Sequence, residues 1–322
     1  MAVDESYMRQ DSPWVGDAAG PFPQTPQDLW NIIGSISFGM DPEAKILWRG
    51  MSNYTWGVES SLIRALHTRG VPITEESVRI HERRAIEAAR NWGLGGTAYG
   101  HATDLHLLAM MQHHGVPTRL VDVTYNPLTA LWFACAKDPD QSGVLVAFMV
   151  RDAWEVTTAP RLTGTWGSLG NPSEYDLDQA LEMSAREGYV VLVDPVVKDL
   201  RMRAQEGLFL TSAIPADPGS PALIGFPEPP KKGFFNQAAA LLNAGLPRDL
   251  SGKGNPFDAM GIVIPPKVKK SLLAVLEKSF NRSTRTLFPD LSGFAEAHDI
   301  WMPDPNFSPQ ESDQNAAQPP AV

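Results

Sequence analysis

The chain has 322 residues, 43% of them hydrophobic, which is enough apolar material to fill a globular core. Its 37 acidic residues against 27 basic ones give a formal net charge of −10, which argues against holding nucleic acid by general phosphate neutralisation. The single cysteine, Cys135, lies in the apolar run 131–136, so it reads as a small core residue and no disulfide framework exists.

Residues 1–25 and 303–322 are rich in Pro, Asp, Gln, Ser and Ala and are expected to flank, as disordered ends, a folded domain at 26–302. The first residues lack an apolar signal region and no apolar run approaches the ~18 residues of a membrane span. A cytoplasmic protein with no membrane contact is expected. The stretch QTPQDLWNIIGSI predicts a helix entered through Thr25 with Pro26 in its first position, and KILWRGMS predicts a short strand. A second helix over TEESVRIHERRAIEAARNW takes Thr74 as its cap, with Glu75 and Glu76 in the first turn. TDLHLLAMMQHH predicts another helix, with Leu107, Met110 and Met111 on its apolar side, stopped by Gly115 and Pro117. NPLTALWFACAK predicts a further helix with Pro127 at its start.

The second half changes character. GVLVAFMV, GYVVLVDP, GLFLTSAI and MGIVIPP are compact β-type runs, and KVKKSLLAVLEKSF is a late helix. Helices in the first half and a compact mixed or antiparallel sheet in the second define an α+β fold. Residues 214–235 are proline-rich and read as a surface loop or lid. The nine tryptophans, among them Trp30, Trp56, Trp92 and Trp132, read as packing residues, and the lysines of PPKVKK as a solvated edge. GTWGSLGNP is no phosphate loop, because no Gly-Lys-Ser/Thr follows it.

Ionisable chemistry concentrates in MMQHHGVPTRLVDVTYNPLTALWFACA, residues 110–136. One reading is structural: Asp122 and Thr124 satisfy backbone groups at a turn, and Arg119 pairs with Asp122. The other makes Arg119, Asp122 and a histidine the floor of a cleft, since charges beside a hydrophobic helix must be paired or used.

Together with LWRGMSNYTWGVESSLIR, that run resembles the FRG-domain family, named for a Phe-Arg-Gly motif. Trp48 stands where the family usually has Phe, while Arg49 and Gly50 match. Gln112, His113, Gly115, Pro117, Thr118, Arg119, Leu120, Asp122, Thr124, Asn126, Pro127, Ala130, Leu131, Phe133 and Ala134 fit the second signature. Gln205 to Phe209 and TLFPDLSGFAE resemble later family segments, so the similarity extends over roughly residues 28–297.

The resemblance implies a bacterial or phage-associated protein whose layout is similar to ADP-ribosyltransferase-like folds. NAD would then be the substrate, no metal would be required, and the setting would be that of a toxin or anti-phage effector. A macromolecular acceptor, or a phage or antitoxin protein, would be the partner. Such chemistry needs a fixed guanidinium for the pyrophosphate and a late carboxylate or amide near the ribose hydroxyls. Arg49 fits the first role and Gln205 or Glu206 the second. Strand alternation would allow only one of that pair to face a cleft. His113 is suited to orienting a hydroxyl or taking a proton. Gly50 permits close backbone approach to a ligand, and Arg119, Asp122 and Thr124 complete the expected substrate site.

Two rivals stand beside this reading. A non-catalytic module would use the same cleft to recognise a nucleotide or a protein in phage defence. A metal-dependent hydrolase would draw on His101, Asp104, His106, His113 and His114, although none of these forms a compact ligand motif such as His-Glu-x-x-His.

Overall fold

A computed structural model describes residues 23–39, 45–97, 100–150, 153–157, 177–178, 181–182, 184–185, 190–195, 198–214 and 257–297. The expected loop or lid at 214–235 (apart from Ile214), the glycine-rich segment at 164–172, residues 1–22 of the N-terminal end and the C-terminal end at 303–322 lie outside them. No described helix is long and apolar enough to cross a membrane.

The described helices are α1 (Pro26–Gly39), α2 (Ser61–Thr68), α3 (Glu75–Asn91), α4 (Asp104–His113), α5 (Pro127–Ala136), α6 (Leu200–Ala204), α7 (Pro266–Phe280), α8 (Thr284–Leu287) and α9 (Leu291–Ala297). The strands are β1 (Lys45–Met51), β2 (Gly96–Thr97), β3 (Gly100–His101), β4 (Val121–Thr124), β5 (Gly143–Val150), β6 (Ala153–Thr157), β7 (Val190–Asp194), β8 (Gly207–Thr211) and β9 (Phe257–Ile264). β2 and β3 form a small hairpin, and the other seven strands form one sheet in the order β6-β7-β8-β4-β1-β5-β9. Its pairs are antiparallel except β6 with β7. The α+β class is as expected, with β1 and β4 from the helical half inserted at the centre of the sheet.

Local signals explain the helix starts. Thr25 Oγ1 accepts from the Asp28 amide at 3.2 Å while an Asp28 carboxylate oxygen accepts from the Thr25 amide at 3.0 Å. Thr74 caps α3 in a reciprocal box with Ser77, and Asn126 accepts from Leu128 N ahead of Pro127. α4 ends at Gly115, whose φ of +80° sits in the left-handed region that glycine tolerates. α4 buries Leu105, Leu107, Leu108 and Met111 but leaves Met110 exposed, a correction to the apolar side expected for it.

Three apolar clusters hold the sheet. Leu47, Met51, Val123, Val146, Leu208 and Leu210 belong to the first. Trp48, Leu145, Ala147 and Ile264 join α1, α5 and α7 in the second, while Val191, Val193 and Phe209 join α3 and α4 in the third. Each fully buried aliphatic or aromatic side chain contributes roughly 1.5–3 kcal/mol relative to exposure. α5 packs so closely on β1 that a Cβ at Gly50 would lie 1.7 Å from the Ala130 carbonyl oxygen. Gly50 therefore admits a helix backbone, a reason distinct from the close ligand approach expected for it. Gly50→Ala should displace α5 and destabilise the protein by about 1–3 kcal/mol or more in a urea titration. An unchanged midpoint would contradict this packing.

Two further expectations are corrected. Lys269, of the PPKVKK run, is fully buried, and its Nζ donates to the carbonyls of Ser52 (2.8 Å), Asp138 (2.8 Å) and Gln141 (3.2 Å). Burial pushes its pKa down, and it anchors α7 to the β1 and α5 exits. Of the tryptophans, Trp48 and Trp132 are core, whereas Trp92 is 86% exposed. Cys135 is buried as expected, and burial raises its thiol to about 12, which makes it an inert packing residue.

Candidate functional site

The first observation that singles out a site is a break in the sheet. β1 and β5 pair along their whole length, but β1 and β4 meet through one registered pair, Trp48 with Thr124. Beyond that pair a side chain takes over from the ladder: Arg49 Nη1 donates to the Asp122 carbonyl at 2.6 Å. A cleft of about 290 Å³ opens at this break, where the three apolar clusters meet. Its apolar wall includes Trp48, Phe133, Phe209 and Phe288, and its polar groups include Arg49, Gln112, His113, Asp122, Thr124, Thr129, Arg201 and Gln205.

Arg49 and Asp122 lie close together, with Arg49 Nη1 3.6 Å from Asp122 Oδ2. The Arg49 side chain is 19% exposed and that of Asp122 is 59% exposed. Burial lowers the Arg49 pKa from the usual guanidinium range; Asp122 opposes this and Arg64 adds to it. Arg49 Nε is buried with no hydrogen-bond partner among the described residues, as is Thr129 Oγ1 in the same cleft. Buried donors of this kind are rare in native proteins, but Trp132 Nε1 and Thr211 Oγ1 are others outside the cleft, so it is their place beside Asp122 in a cleft that gives these two their interest.

Gln112 was not among the expected site residues. Its Oε1 accepts from Ser61 Oγ at 3.1 Å and Thr118 Oγ1 at 2.8 Å, which turns its Nε2 toward Asp122 Oδ2 at 3.0 Å. The carboxylate is thus aimed by an amide that two hydroxyls orient. Gln112 stood inside the motif run, and that was its available signal.

His113 lies at the end of α4, 11% exposed, with Nδ1 3.3 Å from Asp199 and Nε2 3.9 Å from Asp290. Burial lowers its pKa, Arg201 and His114 add to that, and the two aspartates oppose it. Asp290 in turn is held below the usual carboxylate range, first by the Gly293 amide and then by Arg201 and His113. Arg201 reaches Asp290 at 3.1 Å and lies over the Phe288 ring, 4.4 Å from its centroid. Because folded His113 holds its proton less tightly than an unfolded histidine near 6.5, the unfolded chain binds more protons below that pH. Stability is therefore present above 6.5 and is lost as pH falls through it. Thermal melts from pH 7.5 to 5 should show a decline that His113→Gln flattens; parallel declines would mean that His113 does not carry the effect.

Gln205 and Glu206 are not strand neighbours. Gln205 is the C-cap of α6, and Glu206 follows with a φ of +51°, so the turn and not pleat alternation sets where each points. Gln205 lines the cleft and donates from Nε2 to the Leu287 carbonyl at 3.0 Å. Glu206 instead accepts from Asn126 Nδ2 at 2.8 Å and Arg282 at 3.1 Å, and it does not line the cleft. Thr124 Oγ1 donates to the Gln205 carbonyl at 2.7 Å and so ties β4 to this turn.

Arg119 stands apart from the cleft. It is 1% exposed and pairs with Glu82 at 2.7 Å and Glu75 at 3.0 Å, which corrects its expected pairing with Asp122 and its expected place at the substrate. Of the histidines on which the rival metal-hydrolase reading drew, the His101 side chain lies outside the described residues. Among the described residues no group of three or more His, Cys, Asp or Glu could hold a metal ion.

Fold and site together define an α+β domain whose polar cleft opens where two central strands part. Residues 44–143 match the family model described as FRG domain, so this part of the chain is an FRG domain. The matched stretch supplies Arg49, Gln112, His113, Asp122 and Thr124, while Arg201, Gln205 and Phe288 close the cleft from outside it. No curated protein and no solved structure matches the chain.

Proposed function

We propose that the cleft binds NAD and breaks its bond between ribose and nicotinamide, as an ADP-ribosyltransferase-like enzyme or an NAD glycohydrolase. One observation carries this reading: a buried guanidinium, whose Nε has no partner among the described residues, and an accessible, oriented carboxylate share a small cleft with aromatic walls. Arg49 and Arg201 bind phosphate oxygens, and the aromatic side chains cover the nicotinamide ring. As the C–N bond breaks, nicotinamide leaves neutral with the bonding electron pair, and positive charge develops on the ribose. Asp122, steadied by Gln112, stabilises that charge. Water or an acceptor nucleophile then adds to the ribose carbon, and its proton passes to Asp122 or to neutral His113.

The carboxylate role thus moves from Glu206 to Asp122, and Gln205 becomes a donor at the cleft wall. The toxin or anti-phage setting, with a phage or antitoxin protein as partner, belongs to the same proposal through the FRG domain. A second reading has its own support. Both late candidates, Gln205 and Glu206, are already engaged by neighbouring groups, which suits a domain that recognises a nucleotide without cleaving it.

Both readings predict that NAD raises the melting temperature of the wild-type protein and that Arg49→Ala abolishes the rise. Arg49→Lys, which keeps the charge without the fork, should recover only part of it. No shift in the wild type would remove both readings.

A further inference from the structure

A second, larger chamber of about 880 Å³ adjoins the cleft, and the two share Arg49, Gly50, Phe133 and Phe288 as a common wall. Its cations, Arg49, Arg64 and Lys137, outnumber its anions, Glu59 and Glu277, although the whole chain is acidic. Two of its side chains are presented outward by local structure. Asn53 Oδ1 accepts from the Thr55 amide at 2.9 Å and its hydroxyl at 2.8 Å, and the turn so formed holds Trp56 at 52% exposure. Arg64 is exposed on α2, steadied by its own Nη1 donating to the Glu59 carbonyl at 2.5 Å. Arg64 is near enough to Arg49 to act on its charge. Two guanidiniums beside an exposed indole suit a polyphosphate that carries a planar base.

We propose that this second chamber takes the adenosine diphosphate half of a dinucleotide, with the phosphates spanning Arg49 and Arg64 and the base resting on Trp56. The assignment rests on the NAD reading of the first cleft and extends it. Arg49 becomes the waist between two compartments, one for the bond that breaks and one for the part that only binds. Binding energy from the remote half would then hold the reacting half in place.

Calorimetric titration of the full chain with ADP-ribose and, separately, with nicotinamide mononucleotide tests this. Arg64→Ala and Trp56→Ala should each weaken ADP-ribose binding about tenfold or more and leave nicotinamide mononucleotide within about twofold. Trp56→Phe should recover most of the loss. Both side chains are exposed, so unchanged melting temperatures will show that the variants are folded. Variants that bind ADP-ribose as the wild type does would overturn the assignment. Wild-type protein that binds nicotinamide mononucleotide but not ADP-ribose would overturn it while leaving the first cleft's reading intact. Binding of neither compound would overturn both.

Discussion

Arg119→Ala is expected to cost about 3–5 kcal/mol of stability and to leave much of the protein unfolded or insoluble. Arg119 Nε donates to both Glu82 oxygens, at 2.8 and 2.7 Å, and Glu82 is itself only 2% exposed. Removing the guanidinium would leave a nearly fully buried carboxylate without the cation that holds it in a two-oxygen contact. The effect spreads through Glu75. Burial raises its pKa, but Arg119, the Ile214 amide and Arg79 outweigh that and hold the carboxyl below its usual range. Arg119 therefore ties the approach to β4 to α3, and Glu75 extends the tie to the exit of β8. Urea denaturation measures the loss, and Arg119→Met combined with Glu82→Leu should recover part of it by removing both charges together. A stable Arg119→Ala protein, within about 0.5 kcal/mol of wild type but unable to bind NAD, would return Arg119 to the substrate site.

Asp122→Asn is expected to lower the rate of NAD cleavage by about 10²–10³-fold with little change in KM. The side chain is 59% exposed and the substitution keeps its shape, so the fold should be unaffected. The amide removes the negative charge that opposes the developing cation. Glu206→Gln supplies the contrast: its carboxylate is held by Asn126 and Arg282 at the turn, so cleavage should be nearly unchanged. If Glu206→Gln abolishes cleavage and Asp122→Asn does not, the carboxylate assignment is reversed.

Much of the fold was legible because its signals are local. Thr25 with Pro26, Thr74 with two acidic residues, and Asn126 with Pro127 each mark a helix start through groups within a few residues. The β-type runs of the second half became strands for a similar reason, since their branched and aromatic side chains suit a pleated surface. Lys269 carried no such signal, because the three carbonyls it satisfies come from segments over a hundred residues away. Arg119 failed in the same way: Asp122 was its nearest acidic neighbour in sequence, while its true partners lie on α3.

The site was legible in part. Arg49, His113, Asp122, Thr124 and Gln205 all line the cleft, and all lay in segments that carry the FRG resemblance. Phe288 lies in the late segment that also carried it, yet its contact with Arg201 depends on how α6 and α8 come together. Gln205 and Glu206 were misread as strand residues because a non-glycine residue at positive φ leaves no mark in a local pattern.

The most direct test is nicotinamide release from NAD by the purified full chain, with bacterial lysate as a source of acceptors, beside Arg49→Ala and Asp122→Asn. Release by the wild type, reduced by at least about a hundredfold in both variants, is the expected result. No release by the wild type, or equal release by all three proteins, would contradict an NAD-cleaving site at the break between β1 and β4.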